Sequence, residues 1–335
     1  MVDIITLAHG SGGKMTHELI NNLFKKYFSN DILGQGDDSA CLEFKAGRMA
    51  FTTDSFVVSP VFFKGGNIGK LAVCGTVNDL ASAGAKPLYL SCGFIIEEGM
   101  PVEELERIVC SMGETAKECG VRIVTGDTKV VQKGAADKVF INTSGIGIIP
   151  EGVNVSGRNA KPGDKIIITG NMGDHGCSIF LEREKLDINA EISSDCAPMN
   201  KIVEDILNIT MDIHVLRDPT RGGLATTLNE IAGQSGVGIK LNEDAIPVRQ
   251  EVAGVCELLG MDPIYMANEG KMIIILPECH ANDVLKALKS NKYGENAAII
   301  GEVTDKPAGR VSIKTVTGGS RIVDMLVGDQ LPRIC

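Results

Sequence analysis

Tryptophan is absent from this sequence of 335 residues, and all aromatic residues together make up 4% of it. A core without large rings must rest on Ile, Val, Leu, Met and Ala. Material for one is present: 44% of residues are hydrophobic and 23% charged, a balance that favours folding over disorder. Positive charge is in short supply. Lys and Arg number 33 against 43 Asp and Glu, a net charge of −10. The chain therefore lacks the basic excess that nucleic acids and anionic membranes attract, and neither is an expected partner. Phosphate ligands remain compatible, because a bound metal and local amides offset carboxylates. No apolar run approaches the ~20 residues of a spanning helix. The first residues, MVDIITLAHGSGGK, carry an early acid and no basic stretch, unlike a signal peptide.

Several motifs are missing too. Ten cysteines occur, none as a CxxC pair, so a zinc site has no support. Most lie in apolar segments, where a free thiol behaves as a small hydrophobe. A reducing compartment, the cytoplasm, is the expected location. The five histidines show no metal-ligand spacing. No GxGxxG opens a helix after a strand and no GxSxG occurs, so neither a dinucleotide fold nor a serine-hydrolase elbow has its usual signature. The Gly-rich HGSGGK at 9–14 could wrap phosphates with backbone amides and supply Lys14. It is not a P-loop, which has four residues between Gly and Gly-Lys and then Ser or Thr, whereas Met15 follows here. A simple N-terminal turn explains it equally well.

What is present is an alternation of strand and helix patterns. The length suggests about two domains. Strands are expected at 50–58, 88–96, 121–125 and 138–149, with helices at 67–84 and 101–119. In the second helix Val102, Leu105, Ile108, Val109, Met112 and Ala116 share one face, with Pro101 before it and Gly120 after it. The polar EGVNVSGRNAKPGD then reads as an interdomain link. Beyond it, strands at 164–169, 272–276 and 297–303 alternate with helices near 173–183, 200–211, 221–233, 248–259 and 280–290. This is an α/β class of fold. The expected division is a Gly-rich segment at 1–36, an N-terminal domain at 37–152, a C-terminal α/β domain at 153–316 and a mobile tail at 317–335. From Gly318 to Cys335 an extended chain spans up to about 55 Å, so an arm carrying a thiol is physically possible.

Acidic residues recur at expected element boundaries: Asp37 and Asp38 in GQGDDSA, Asp54 in TTDS, Asp79 in VNDLASAGAKP, Asp127 in TGDTK and Asp218 in RDPTRGG. Mg²⁺ takes hard oxygen ligands, usually one or two carboxylates plus substrate phosphates, so several Asp converging on a nucleotide would suit it. Taken singly, each is more often an ordinary turn residue. Asp79 is less ordinary, because it sits beside Asn78 inside a helical pattern. Lys129 in GDTKVV and Glu269 in ANEGK are single polar residues beside apolar runs. A Lys near a transferring phosphate stabilises charge, and a partly buried Glu serves as a general base; composition alone favours a plain surface residue for each. Cys335 is too close to the end for prenylation. As a thiolate it would be a nucleophile.

Together AHGSGGKM, GDDSA, TTDS, VNDLASAGAKP, TGDTKVV, DPTRGGLATTLNE and the terminal PRIC resemble the HypE family of hydrogenase maturation factors. That family lies within the ATP-binding superfamily of aminoimidazole ribonucleotide synthetase and selenophosphate synthetase. The Asp-rich segments carry the superfamily likeness, and PRIC the family. The resemblance implies an N-terminal α/β domain that forms a β-barrel with a second copy, and a C-terminal α/β domain packed on it. It implies ATP and Mg²⁺, with Lys14, Asp37, Asp38, Asp54, Asn78, Asp79, Gly126, Asp127 and Thr128 toward the nucleotide, and Asp37, Asp38, Asp79 and Asp218 toward the metal. The implied reaction is dehydration of a carbamoyl group on Cys335 to a thiocyanate, with Glu269 accepting protons and Lys129 stabilising charge. The implied partners are a homodimer mate, the carbamoyltransferase HypF, and a HypC–HypD complex whose iron receives the cyanide for [NiFe]-hydrogenase. Two rivals stand beside this reading: a synthetase for a soluble substrate, and a non-enzymatic carrier that only presents Cys335.

Overall fold

A computed structural model of the chain describes residues 4–10, 14–33, 42, 47–184, 191–326 and 334. The first sheet has four strands in the order β1-β6-β4-β5, formed by β1 (Arg48–Phe56), β4 (Lys86–Glu97), β5 (Arg122–Val131) and β6 (Val139–Ile149). The short β2 (Phe62–Phe63) and β3 (Gly66–Asn67) make a separate hairpin. Before the sheet come α1 (Lys14–Leu19) and α2 (Lys25–Phe28), joined by a π-helical turn at Ile20–Phe24. Two long helices, α3 (Ile68–Ser82) and α4 (Val102–Cys119), cover one face of the sheet.

Local chemistry explains both helices. Asn67 caps α3 by accepting from the amides of Gly69 and Lys70, at 2.8 and 3.1 Å. Helix α4 follows Pro101 and stops at Gly120, whose φ of 73° only glycine adopts freely. Helix α4 buries a single stripe, as its periodicity demands. Helix α3 is buried almost all round, because the sheet lies on one side of it, and α4 and the segments Asn200–Leu207 and Val215–Arg217 pack elsewhere. Each fully buried aliphatic side chain there, such as Leu71, Val77 or Leu80, contributes about 1.5–3 kcal/mol.

The C-terminal domain is built on a seven-stranded mixed sheet, β13-β12-β9-β11-β7-β10-β8. Its strands are β7 (Lys165–Ile168), β8 (Val215–Arg217), β9 (Gly238–Asn242), β10 (Ile273–Leu276), β11 (Ala298–Thr304), β12 (Arg310–Lys314) and β13 (Ser320–Val323). Helices α5 (Asp174–Glu184), α6 (Asn200–Leu207), α7 (Gly223–Ser235), α8 (Gln250–Leu259) and α9 (Glu278–Lys289) surround it. The central strands are buried on both faces. Ile166, Ile168, Ile273 and Ile275 join the core under α7, while Ile167, Ile274 and Leu276 join the core with α6 and α9. Alternate side chains of a strand point to opposite faces, so a strand between two cores is apolar throughout.

The domain runs further than its composition suggests. Residues 320–323, expected within a mobile tail, form β13 and pair with β12 from Val311↔Val323 to Lys314↔Ser320. The Val323 carbonyl also accepts from Asn229 Nδ2 at 2.9 Å. The pairing is possible because TGGS at 317–320 supplies a tight turn, with Gly318 at a φ of 88°.

Candidate active site

The interdomain cleft gathers three of the six aspartates that the sequence singles out. Along β1, alternate residues face α3, and this face carries Thr52 and Asp54. Asp79 comes from α3, and its Oδ2 accepts from Thr52 Oγ1 at 2.7 Å. Asp218 follows β8. Arg217 and Arg221 flank it, and the residues enclose a cavity of about 510 Å³ lined by Thr52, Asp79, Arg217, Asp218 and Arg221. Burial pushes Asp54 up to about 6, with the Asp79 charge adding and Arg221 opposing. Burial also raises Asp79, against the Thr52 hydrogen bond and Arg217. Asp218 is pushed up to about 7, by burial first and then by Asp79.

Like charges held this close in a half-buried cleft favour a cationic ligand. The donor set is hard oxygen, which fits Mg²⁺. Among the described residues no three His, Cys, Asp or Glu side chains converge as a ready-made metal cage.

Glu269 lies behind the cleft and is only 4% exposed. Burial raises its pKa well above the ordinary carboxylate value, and Cys196, Asp195, Asp218 and Asp54 raise it further. Its amide donates to Asp195 Oδ1 at 3.0 Å, and Asp195 Oδ2 lies 3.1 Å from Lys271 Nζ. The neighbouring Gly270 is obligatory on contact grounds, since a Cβ there would sit 1.9 Å from the Asp195 carbonyl oxygen. On the far side of this crossing a second polar cavity of about 310 Å³ is lined by Lys70, Asp174, Asp195, Arg249 and Lys271. Asp174 is pushed up to about 6 by burial and by Asp195.

Asn78 takes a different place from the one expected. Its Nδ2 donates to the carbonyls of Ala197 and Glu269, at 3.1 and 3.3 Å, and its Oδ1 accepts from the Met199 amide at 2.7 Å. With 1% exposure, it clamps α3 to the C-terminal domain rather than offering its amide to a nucleotide. Backbone groups in that junction would otherwise be buried without partners.

The remaining residues fall elsewhere. Gly126, Asp127, Thr128 and Lys129 belong to β5, at the opposite edge of the sheet from β1. Three strand spacings separate these edges, roughly 14 Å. Asp127 and Lys129 are exposed, and in register they sit beside Gly93 and Ile95. Gly126, Asp127 and Thr128 edge a mostly apolar cavity of about 150 Å³ with Phe24, Phe28 and Cys92. Within one copy, therefore, β5 does not meet the Asp54–Asp79–Asp218 cleft. The Lys14 side chain, Asp37, Asp38 and Cys335 lie outside the described residues. Arg217, Arg221, Asp195 and Lys271 carry no motif that marks them beforehand. Only the arginines leave a trace, as the pair bracketing Asp218 in RDPTR; the others meet the site through folding alone.

Fold and cleft together define a protein of the aminoimidazole ribonucleotide synthase-related class. Residues 36–149 match "AIR synthase related protein, N-terminal domain", and residues 161–314 match the corresponding C-terminal domain. The chain is 52% identical over 332 residues to "Carbamoyl dehydratase HypE" of Cupriavidus necator, covering 99% of this chain and 95% of that one. Among solved structures it is similar to the hydrogenase maturation protein HypE in complex with ATP, at 53% identity and a TM-score of 0.95, covering 98% of this chain and 99% of that one. It is also similar to a chain of a HypE–HypF complex, at 52% identity and a TM-score of 0.82, covering 92% and 99%. The chain belongs to the carbamoyl dehydratase HypE family, a family of hydrogenase maturation enzymes.

Proposed function

We propose that this chain uses ATP to dehydrate a carbamoyl group carried on the Cys335 sulfur. In this reading Cys–S–C(=O)–NH₂ and ATP become Cys–S–C≡N, ADP and phosphate. An amide oxygen is a poor leaving group. Transfer of the terminal phosphoryl group to that oxygen turns it into phosphate, and loss of both N–H protons then closes the C≡N bond. The observation that carries the proposal is Glu269: a buried carboxyl of raised proton affinity, placed between the carboxylate cleft and the Asp195–Lys271 pocket. The two deprotonations require a base, and raised proton affinity makes the Glu269 carboxylate a stronger one.

The cleft is the site we assign to ATP and Mg²⁺, supported by the ATP complex of the similar HypE structure. Mg²⁺ held there would supply positive charge against the phosphate oxygens. Asp79 and Asp218 are the described carboxylates placed to hold it, with Asp37 and Asp38 assigned alongside them from their sequence context. Arg217 and Arg221 steer phosphate oxygens. Lys14, Asp54, Gly126, Asp127 and Thr128 complete the nucleotide assignment.

Lys129 reaches this site from a second copy. The outer face of the four-stranded sheet exposes Met49 at 56%, Phe51 at 66% and Ile95 at 44%. A two-fold partner covering that face would form a barrel and bring one copy's β5 toward the other's β1 edge. The N-terminal domain thus serves nucleotide binding and dimerisation.

HypF is the proposed carbamoyl donor, supported by the HypE–HypF structure of a close relative. A HypC–HypD complex is the proposed cyanide acceptor, in the cytoplasm. The deciding experiment is intact mass spectrometry after incubation with HypF, its carbamoyl-donor system and ATP. Wild type is expected to gain a carbamoyl group and then lose one water, while Cys335→Ala binds ATP and gains neither mass. ATP turnover indifferent to Cys335 would favour the soluble-substrate synthetase, and loading without any ATP use would favour the carrier.

A further inference from the structure

We propose that His175 is a positioning residue for the tail, holding the Ile334 carbonyl so that Cys335 is presented to the Glu269 site. This rests on the function proposed above. His175 lies in α5 with no exposed surface. Its Nε2 is 2.8 Å from the Ile334 carbonyl oxygen, and its Nδ1 is 2.8 Å from Ser194 Oγ. A carbonyl only accepts, so Nε2 carries the proton and Nδ1 accepts from the serine hydroxyl. Ser194 Oγ is itself held by the Cys196 amide at 3.1 Å. Burial lowers the His175 pKa, which keeps the ring neutral in this one tautomer.

The seat is specific to the tail. Ile334 is 5% exposed and joins the same apolar cluster as Phe63, whose ring meets His175 edge-on at 5.7 Å. Among the described contacts the Ile334 carbonyl is the only partner of Nε2. Without the tail, a buried N–H would lose its acceptor, which a finished domain core avoids. The latch also shares a backbone run with the proposed base: Ser194 holds His175, and the adjacent Asp195 holds the Glu269 amide. A second tie links Gly176, next to His175, with the Ala267 carbonyl at 3.1 Å. Cys335 follows Ile334 by one residue, a step of about 3.8 Å between Cα atoms. Holding Ile334 therefore fixes the backbone one residue before the thiol, next to the run that also holds the Glu269 amide, while breaking one hydrogen bond and one apolar contact releases the end of the chain to a partner enzyme.

The test is the alkylation rate of Cys335 by iodoacetamide in the full-length chain, read from the mass of the C-terminal peptide. His175→Phe keeps ring and volume but removes the donor. Its Cys335 should react about three- to tenfold faster than wild type, the scale of one net hydrogen bond. His175→Gln retains an N–H at similar reach and should restore most of the protection, a rescue that a purely space-filling role would not produce. The dehydration rate per loaded Cys335 should fall by the same factor in His175→Phe, with carbamoyl loading retained. Equal alkylation rates in wild type, Phe and Gln variants would overturn the proposal. If the alkylation contrast holds but wild type forms no thiocyanate, the catalytic reading fails and the latch stands. Should His175→Phe not fold, as judged by circular dichroism, Ile334→Gly tests the same seat without touching the domain. The same gain is expected there, normalised to free peptides ending in PRIC and PRGC, and an unchanged rate overturns the proposal.

Discussion

Replacing Asp218 with Asn separates the cleft's cost to the fold from its service to the ligand. Asp218 is pushed up from an ordinary 3.8 to about 7. An acid whose folded pKa lies above its unfolded value holds its proton more tightly when folded. The stability from that proton is fully present below about pH 4 and is lost as the pH rises toward 7. A tenfold change in proton affinity is worth about 1.4 kcal/mol, so ionised Asp218 costs at most roughly 4 kcal/mol at pH 8. The side chain partly faces water in the cleft, and screening reduces this to about 2 kcal/mol. Asp218→Asn preserves shape and removes the charge. The variant should be more stable than wild type by about 2 kcal/mol at pH 8 and by less than about 1 kcal/mol at pH 5. For a chain of this size that is a rise in Tm of about 3 °C at pH 8. Calorimetry with Mg-ATP should show weaker binding in the same stabilised protein. Scanning calorimetry at the two pH values checks the first part. A variant less stable than wild type at pH 8, or a gain identical at both pH values, would refute the electrostatic account of the cleft.

Three further outcomes are expected. Glu269→Gln keeps shape and loses basicity, so it should accumulate carbamoylated Cys335 and slow thiocyanate formation about 10²–10⁴-fold in timed mass spectra; wild-type conversion would remove Glu269 from the mechanism. Met49→Asp places a charge on the open sheet face, so size-exclusion chromatography should move the protein toward its 35.6 kDa monomer with its melting otherwise preserved, and an unchanged elution volume would count against that face as the dimer surface. Gly270→Ala forces a Cβ against the Asp195 carbonyl and should cost about 2–3 kcal/mol in denaturant titrations; a neutral result would mean that the crossing of the 195 and 270 segments yields readily.

Long, strongly periodic segments are legible in the residue pattern. Helix α4 has a clean apolar stripe between Pro101 and Gly120, and it folds as Val102–Cys119. The pattern ends strand β5 near 125, yet the strand continues to Val131. The polar GDTK stretch disguises it, because those residues lie on an edge strand where polar side chains can face solvent. Strands β8, β9, β12 and β13 escape the pattern for related reasons. They are three to five residues long, and pairing with neighbours distant in sequence stabilises them more than local propensity does.

The amino-acid sequence by itself determined the family, the α/β class and which chemical groups are candidates for the site. Those are carried by residues whose identity matters wherever they fall: Asp in GDDSA, TTDS and RDPTRGG, Glu269 before an obligatory glycine, and Cys335 after PRI. Only the tertiary structure decided which of them meet. It gathered Asp54, Asp79 and Asp218 from a strand, a helix and a loop, and turned Asn78 inward as a clamp. It sent Lys129 to the far edge of the sheet, and gave the end of the tail a buried seat on His175. The reason is physical. Residue type sets what a group can donate, accept or titrate, but burial, neighbouring charge and the distance between edges arise only when segments remote in sequence pack together.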